Sequence, residues 1–154
     1  YVEQGVTRMR LLTRASPGNF GLLPNGVLCI GDRTIEVIET LRFAARNLVC
    51  RSASQSGPML VIDGALHPRF LKDSRSRFIR NGVGMREGRQ QAVFVMSKGF
   101  VTLHEFASLF KDHIGVSQAL YFDGNASRLF SLQLNRDDPG RRMGPIIGTV
   151  VPKP

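Results

Sequence analysis

Short apolar runs separated by glycine-containing turns are the feature that most restricts what this chain can fold into. In the clearest case, residues 27–30 and 33–38 are rich in β-branched side chains and flank the pair Gly31-Asp32. This arrangement predicts a β-hairpin, because glycine and aspartate adopt the backbone conformations that a two-residue turn requires. Further strands are predicted on both arms of a glycine turn within residues 1–12, and at residues 58–62, 81–86, 91–97, 118–122 and 146–151.

One segment has helical periodicity instead. Between residues 103 and 114, apolar side chains recur on one face of a helix, Thr102 and Glu105 have capping-box spacing, and Gly115 is placed to end the helix. A shorter helix is predicted at residues 40–47. Strands with one or two packed helices predict an α+β fold, built on a mixed, largely antiparallel β-sheet. At this length and 42% hydrophobic composition, we expect residues 1–154 to form a single domain.

The charge balance favours anionic partners. The chain carries 21 Lys and Arg against 12 Asp and Glu, a net charge of +9, and arginines are concentrated between residues 68 and 90. Phosphate esters suit such a field better than nucleic acid, because Trp is absent and no nucleic-acid recognition motif is present. We therefore expect no nucleic-acid partner. No apolar run has the length of a transmembrane helix, so no membrane span is expected.

The cysteines and histidines predict no zinc site. Cys29 and Cys50 form no CxxC motif, and no histidine has metal-ligand spacing to them. We interpret the cysteines as two small buried apolar residues, with a disulfide as the main alternative. His67 is a candidate general base, whereas His104 and His113 are interpreted as surface residues of the helix. The sequence requires no cofactor, and a divalent cation near Asp123 is compatible with it.

Two polar segments stand out as candidate parts of a binding site. Gln55, Ser56 and Gly57 stand at the start of an apolar strand, where a Gly-Pro break exposes backbone donors. Arg77 and Arg80 precede Gly82 and Gly84, so that guanidinium groups would reach an anion while the glycines let a substrate approach the backbone. The structural alternatives are an ordinary start of a strand and a solvated edge strand.

A third segment, residues 121–127 ("YFDGNAS"), allows two interpretations. The Asp-Gly pair alone favours a tight hairpin turn. Alternatively, Asp123 ends a strand, and the following residues curl into a concave run of amide N–H groups that holds a phosphate or a developing negative charge. Asp123 would then be an acid–base group or hold a cation, and Ser127 would donate a hydrogen bond.

Four stretches in order resemble the phosphodiester glycosidase family, which is related to N-acetylglucosamine-1-phosphodiester alpha-N-acetylglucosaminidase, the uncovering enzyme. They are "SQSGPMLVIDGALHPRF", "SRFIRNGVGM", "FVMSKGFVTLHEFASLFKDHIGVSQALYFDGNAS" and "GPIIGTVV". The resemblance is strongest to the bacterial exported branch. It implies hydrolysis of a sugar-1-phosphodiester, a carbohydrate phosphodiester as substrate, and a periplasmic or secreted location.

The resemblance also implies site residues, and it favours the second interpretation of Asp123. We expect Asp123 to act as the acid or base and Arg80 to bind the phosphate leaving group. The substrate-binding residues implied are Gln55, Ser56, Gly57, Arg77, Gly124 and Ser127. Family members carry an early Asn-Gly strand, so the resemblance implies that the N-terminal part of the domain lies upstream of Tyr1. Asn125 and Ala126 stand where many members have glycines.

Two functions fit these residues. The first is a phosphodiester glycosidase that uses Asp123 and the arginines. The second is a non-catalytic protein that binds anionic cell-envelope glycans or phosphate groups in the same basic pocket.

Overall fold

The structure is a computed structural model that describes residues 1–86, 91–140 and 146–150. Among these residues every strand pairing is antiparallel. The strands are β1 (Val2–Glu3), β2 (Val6–Thr7), β3 (Gly26–Ile30), β4 (Ile35–Glu39), β5 (Ser52–Ser56), β6 (Met59–Ile62), β7 (Ala65–Leu66), β8 (Asn81–Arg86), β9 (Gln91–Met96), β10 (Gln118–Asp123), β11 (Phe130–Ser131) and β12 (Arg136–Asp137).

In the described residues two α-helices and a short 3-10 helix at Gly18–Gly21 accompany the strands, which confirms the predicted α+β class. Helix α1 spans Thr40–Ala45. Helix α2 spans Leu103–Ser108 and continues as a π-helix over Leu109–Ile114. The predicted capping box is present at Thr102 and Glu105, and Gly115 ends the helix in the left-handed conformation at φ 72°.

The longer strands form two five-stranded sheets rather than one. Sheet A has the order β2-β1-β5-β3-β4, and sheet B has the order β7-β6-β10-β8-β9. The predicted hairpin around Gly31-Asp32 is the β3–β4 pair, and β8 pairs with β9 as expected. The turn between β8 and β9, with Arg89, lies outside the described residues. The predicted strand at residues 146–151 was wrong for its described part, since residues 146–150 pair with no strand.

The sheets pack face to face, and α2 covers the outer face of sheet B. Leu28 and Val37 of sheet A meet Met59, Val83 and Leu120 of sheet B in a buried cluster. On the outer face of sheet B the helix contributes Phe106, Ala107 and Phe110, which pack with Leu60, Ala119 and Tyr121. Successive residues of β10 therefore face alternate sides, because side chains alternate along a strand.

The glycines of β8 make room for α2. A Cβ atom on Gly84 would lie 2.7 Å from Cδ1 of Phe110, and one on Gly82 would lie 2.6 Å from the carbonyl oxygen of Leu120. Both distances are shorter than non-bonded contacts of a Cβ atom allow. A side chain at position 84 would push against α2, and one at position 82 would push against β10. The expectation that these glycines admit a substrate was wrong for Gly84, because the space in front of it is filled by the protein itself.

A disulfide joins Cys29 of β3 to Cys50, with their Cα atoms 5.5 Å apart. The preferred interpretation of two free buried thiols was therefore wrong, although both residues are buried. They lie in an apolar cluster on the outer face of sheet A, with Val27 and Ala53. Burial of a cysteine does not by itself distinguish a thiol from a disulfide, because both are small and apolar.

We expect that replacing both cysteines by alanine will lower the free energy of unfolding by about 3 kcal/mol. The disulfide joins cysteines 21 residues apart, and the loop that it closes restricts the unfolded chain. Urea unfolding of the double variant and of the oxidised wild type measures the difference. An unchanged midpoint would show that the bond does not constrain the unfolded chain.

No helix among the described residues is both long enough and apolar enough to cross a membrane.

Candidate functional site

Asp123 lies where two cavities meet. It is the last residue of β10, and its neighbour in sheet B is Asn81 of β8. The larger cavity, about 640 Å³, is lined by Asp123 together with Ser54, Gln55, Ser56, Asn81, Gly82, Phe94, Val95, Met96, Phe122, Ala126, Arg128, Leu129, Ile146 and Ile147. The smaller cavity, about 230 Å³, is lined by Asp123 together with Gly18, Asn19, Leu22, Pro58, Ser76, Phe78, Arg80, Leu103, Tyr121, Gly124 and Asn125.

The carboxylate of Asp123 folds back on its own turn. Its Oδ1 atom accepts hydrogen bonds from the backbone N–H groups of Gly124 and Asn125, at 2.6 and 2.9 Å. Oδ2 accepts no hydrogen bond from the described part of the chain. The sequence prediction of a concave run of N–H groups that would hold an anion was wrong at these two positions, because Asp123 itself occupies both donors. One carboxylate oxygen is left for chemistry.

The segment after Asp123 is not a tight hairpin. β10 lies between β6 and β8, and the next strand, β11, pairs with β12 instead of returning along β10. The residues that follow Asp123 therefore leave sheet B. This arrangement agrees with the interpretation in which Asp123 is presented at the end of a strand.

Arg80 is a buried cation in the wall of the smaller cavity. Its side chain is 2% exposed. It donates hydrogen bonds to the carbonyl oxygens of Val101 and Ser76 at 2.8 and 2.9 Å, and to the hydroxyl oxygen of Tyr121 at 2.9 Å. The guanidinium carbon also lies 5.3 Å from the ring centroids of Phe78 and Tyr121. No carboxylate of the described residues forms an ion pair with it.

This environment leaves the charge of Arg80 without a counter-ion among the described residues. All three acceptors are neutral oxygens, and they use three of the five N–H groups that a guanidinium carries. A buried charge is costly unless an opposite charge accompanies it. An anion in the adjacent cavity would supply that charge.

Tyr121 is a site residue that the sequence analysis missed. Its hydroxyl is held by Arg80, and it lines the same small cavity as Asp123. Burial raises the pKa of the Tyr121 phenol, and the charge of Asp123 raises it further, while Arg80 opposes both. The alternation of β10 could have placed Tyr121 on the same face as Ala119, but no sequence signal distinguishes it from a core aromatic residue.

Gly124 and Ser127 have structural partners. A Cβ atom on Gly124 would collide with the Tyr121 hydroxyl, and it would lie 3.0 Å from Cβ of Phe78. The Ser127 hydroxyl donates to the carbonyl oxygen of Ile79 at 2.6 Å and accepts from the Asn81 amide at 2.8 Å. Gly124 lines the smaller cavity, whereas Ser127 fastens the loop behind it and lines neither.

The Gln55-Ser56-Gly57 segment, predicted at the start of the apolar strand that is now β6, contains the last two residues of β5 and the residue that follows. Most of its polar side-chain groups are engaged. The Gln55 amide pairs with both backbone groups of Leu12, at 2.8 and 2.7 Å. The Ser56 hydroxyl donates to the carbonyl oxygen of Phe122 at 3.1 Å, which ties sheet A to sheet B. Gly57 is packed against the Asn25 side chain, so that a Cβ atom there would collide with it. Gln55 and Ser56 still line the larger cavity.

Arg77 lies outside both cavities. Its guanidinium makes two hydrogen bonds with the Glu105 carboxylate at 3.1 and 2.9 Å, on the exposed side of α2. The backbone N–H of Thr102 and the Arg77 guanidinium together hold the pKa of Glu105 below its ordinary value. The structure thus separates two arginines that are close in the sequence, because Arg77 pairs with Glu105 at the surface whereas Arg80 is buried.

His67 is engaged through both ring nitrogens. Nδ1 accepts from the backbone N–H of Arg69 at 3.2 Å, so Nε2 carries the hydrogen that it donates to the carbonyl oxygen of Leu23 at 2.9 Å. Burial lowers the pKa of His67, which favours the neutral ring. It lines neither cavity, so the candidate role as a general base has no support in the geometry. In residues 1–86, 91–140 and 146–150, no cluster of three or more His, Cys, Asp or Glu could hold a metal ion.

Comparison with known proteins gives one family. The model of the phosphodiester glycosidase family matches residues 1–150. YigE, an uncharacterized protein of Escherichia coli K12, is 32% identical over 130 residues, which cover 84% of this chain and 50% of the relative. The chain thus spans about half the length of that relative. No solved structure matches it significantly.

Proposed function

Since the chain belongs to the phosphodiester glycosidase family, we propose that it hydrolyses a sugar-1-phosphodiester at the glycosidic bond. The products are the free sugar and a phosphate monoester. One observation carries the proposal: Asp123 is shared by two cavities, of which one contains a buried cation and the other an aromatic wall. In such a substrate the sugar lies on one side of the bond that breaks and the anionic phosphate on the other, so the two groups can occupy the two cavities.

The phosphate binds in the smaller cavity against Arg80. An arginine that is buried and held by neutral oxygens keeps its full charge for a ligand, and a charge-assisted hydrogen bond is about twice as strong as a neutral one. Asn19 and Asn125 line the same space. The Asn125 amide, and the one Asn19 N–H that is not bonded to the carbonyl oxygen of Phe122, can donate to further phosphate oxygens. Gly124 completes this wall, where any larger residue would displace Tyr121.

The sugar binds in the larger cavity. Phe94 and Phe122 stack there with ring centroids 6.4 Å apart, and Phe94 is 49% exposed. Aromatic faces suit the apolar C–H face of a sugar ring. The Ser54 hydroxyl can hydrogen-bond to sugar hydroxyl groups, and the Asn81 amide oxygen can accept from them, because its Nδ2 group already donates to Asp123 and Ser127. The volume of about 640 Å³ falls within the usual range for small-molecule sites.

Asp123 then lies beside the anomeric carbon as the general base. Its free Oδ2 accepts a proton from water as the water oxygen bonds to the anomeric carbon. The bond between that carbon and the phosphate oxygen breaks at the same time, and its electron pair stays on the phosphate. The carboxylate needs no further anchor, because Oδ1 is already fixed by the Gly124 and Asn125 amides.

We further propose that residues 1–154 act as one domain, that the protein is periplasmic or secreted, and that the other predicted substrate-binding residues support the site. Gln55 and Ser56 line the sugar cavity, Gly57 allows β5 to turn beside it, and Ser127 holds the Asp123 loop. Arg77 supports the site indirectly, because its ion pair with Glu105 fastens the segment that carries Arg80 to α2. The disulfide supports export, because disulfides persist in oxidising compartments.

The direct test is incubation of the full-length protein with α-linked GlcNAc, glucose and mannose 1-phosphodiesters, followed by assay of free sugar. Release from one of the donors, with formation of an equal amount of phosphate monoester, supports the proposal. Failure with all three donors, by protein that binds them, would instead support the second candidate, a non-catalytic binder of anionic glycans. The engagement of Gln55 and Ser127 in structural hydrogen bonds favours that candidate, because few side chains remain to act on the substrate.

A further inference from the structure

The phenol of Tyr121 has a hydrogen atom for which the described residues provide no hydrogen-bond acceptor. The side chain is 3% exposed, and its oxygen accepts a hydrogen bond from Arg80 at 2.9 Å. That bond occupies an oxygen lone pair and leaves the hydroxyl hydrogen free to point elsewhere. No acceptor for this hydrogen exists among the residues that the structure describes. Buried hydroxyl groups normally find a partner, so an unused donor on a cavity wall indicates a ligand.

The packing around the hydroxyl leaves the smaller cavity as the place for that ligand. The backbone of Gly124 approaches the hydroxyl so closely that a Cβ atom there would collide with it, and Phe78 closes the same side. Arg80 occupies another side through its hydrogen bond. Tyr121, Arg80 and Asp123 all line the small cavity, so a phosphate oxygen that entered it would meet the phenol and the guanidinium together.

We propose that Tyr121 donates a hydrogen bond to the phosphate oxygen that leaves the anomeric carbon, and that this bond strengthens as the oxygen becomes charged. The inference rests on the proposed function and adds a catalytic residue to it. When the bond to carbon breaks, that oxygen keeps the electron pair, and the phosphate changes from a monoanionic diester to a dianionic monoester. Tyr121 keeps its proton throughout and contributes only the hydrogen bond, while the proton of the attacking water goes to Asp123.

Two features suit Tyr121 to this role. Its pKa is raised by burial, so the phenol stays protonated at the pH where the protein works and remains a donor. Arg80 donates to the phenol oxygen, and such a bond polarises the hydroxyl so that it donates more strongly in turn. A donor aimed at a charge that grows during the reaction favours the transition state over the bound substrate.

The role can be tested by binding, without turnover. Ethyl phosphate stands for the product monoester and diethyl phosphate for the substrate diester, and isothermal titration at pH 8 gives the affinity of each. We expect Tyr121→Phe to weaken ethyl phosphate at least about tenfold, because a hydrogen bond to a charged group is lost. Diethyl phosphate should change less than about twofold. Equal weakening of both ligands would mean that Tyr121 only positions Arg80, and it would overturn the proposal.

Wild-type protein provides a measurement that does not depend on the variant folding. The chain contains no Trp and only two Tyr, which are Tyr1 and Tyr121. Ethyl phosphate should therefore produce a tyrosine ultraviolet difference spectrum that persists in Tyr1→Phe. Absence of this signal when the ligand is bound would overturn the proposed contact.

Kinetics separate this inference from the proposed function. If wild-type protein releases sugar, Tyr121→Phe should lower kcat at least about tenfold with little change in KM, because the hydrogen bond is much stronger in the transition state than in the bound substrate. A wild-type enzyme that turns over while Tyr121→Phe keeps its kcat would overturn the Tyr121 assignment alone. If wild-type protein releases no sugar, but Tyr121→Phe weakens ethyl phosphate and spares diethyl phosphate as expected, the proposed function is overturned and the phenol is retained as a donor to the dianion.

Discussion

Asp123→Asn is expected to lower kcat for sugar release by about 10²–10⁴, which is the usual contribution of a general acid or base. Asparagine keeps an oxygen at the Oδ1 position, so the hydrogen bonds from Gly124 and Asn125 that shape the turn can persist. The variant should therefore fold normally and keep its affinity for diethyl phosphate. Steady-state kinetics with the best sugar-1-phosphodiester, together with thermal unfolding, measure both expectations.

Asp32→Asn is the matched control for this change. Asp32 is an exposed carboxylate in the turn between β3 and β4, and it makes no side-chain bond to the described residues. It should leave kcat and the unfolding temperature unchanged. If Asp123→Asn retains wild-type kcat, Asp123 is not the general base, and its Oδ2 atom takes no part in catalysis.

Arg80→Ala is expected to weaken binding of diethyl phosphate about 10- to 100-fold, because charge-assisted hydrogen bonds contribute about 1.5–3 kcal/mol. It should also lower the free energy of unfolding by about 3 kcal/mol, since the oxygens of Ser76, Val101 and Tyr121 would lose their donor. Titration calorimetry and urea unfolding measure the two effects separately. Arg80→Lys keeps the charge but cannot satisfy all three oxygens, so it should bind more weakly than wild type as well.

Arg33→Ala distinguishes a pocket from a general electrostatic field. Arg33 is an exposed arginine beside Asp32, and its removal lowers the net charge by the same amount as Arg80→Ala. We expect it to leave phosphate affinity unchanged at moderate salt, because Arg33 lines neither cavity and salt screens the charge of an exposed side chain. Similar losses in both variants would show that the positive charge of the whole chain, rather than Arg80, attracts the anion.

The parts of the fold that the sequence predicted are those with strong local signals. The β3–β4 hairpin follows from Gly31-Asp32, and α2 follows from the Thr102 capping box and the Gly115 end. By contrast, β5 is a central strand of sheet A, yet its sequence "SASQS" has the composition of a loop. Its place depends on neighbours from distant parts of the chain, and no local propensity encodes that.

The candidate site was predictable only in part, for a similar reason. The family resemblance favours a position for Asp123 at the end of a strand, and Asp123 is the last residue of β10. Arg77 and Arg80 look equivalent in the sequence, but one pairs with Glu105 at the surface and the other is buried beside Tyr121. The buried arginine packs against the aromatic rings of Phe78 and Tyr121, and the second of these lies 41 residues away, so local sequence does not reveal the contact.

The position of β10 in sheet B determines when the site can come into existence. β10 follows β6 and β8 in the chain but lies between them in the sheet. Chains emerge from the ribosome N-terminus first, so these two strands must wait with unpaired edges until residues 118–123 have been synthesised. The strand that closes this gap is also the one that carries Tyr121 and Asp123. Completion of sheet B therefore also places Tyr121 and Asp123, whereas the larger cavity is complete only when residues 126–147 have followed. A nascent chain that stops before β10 has neither cavity.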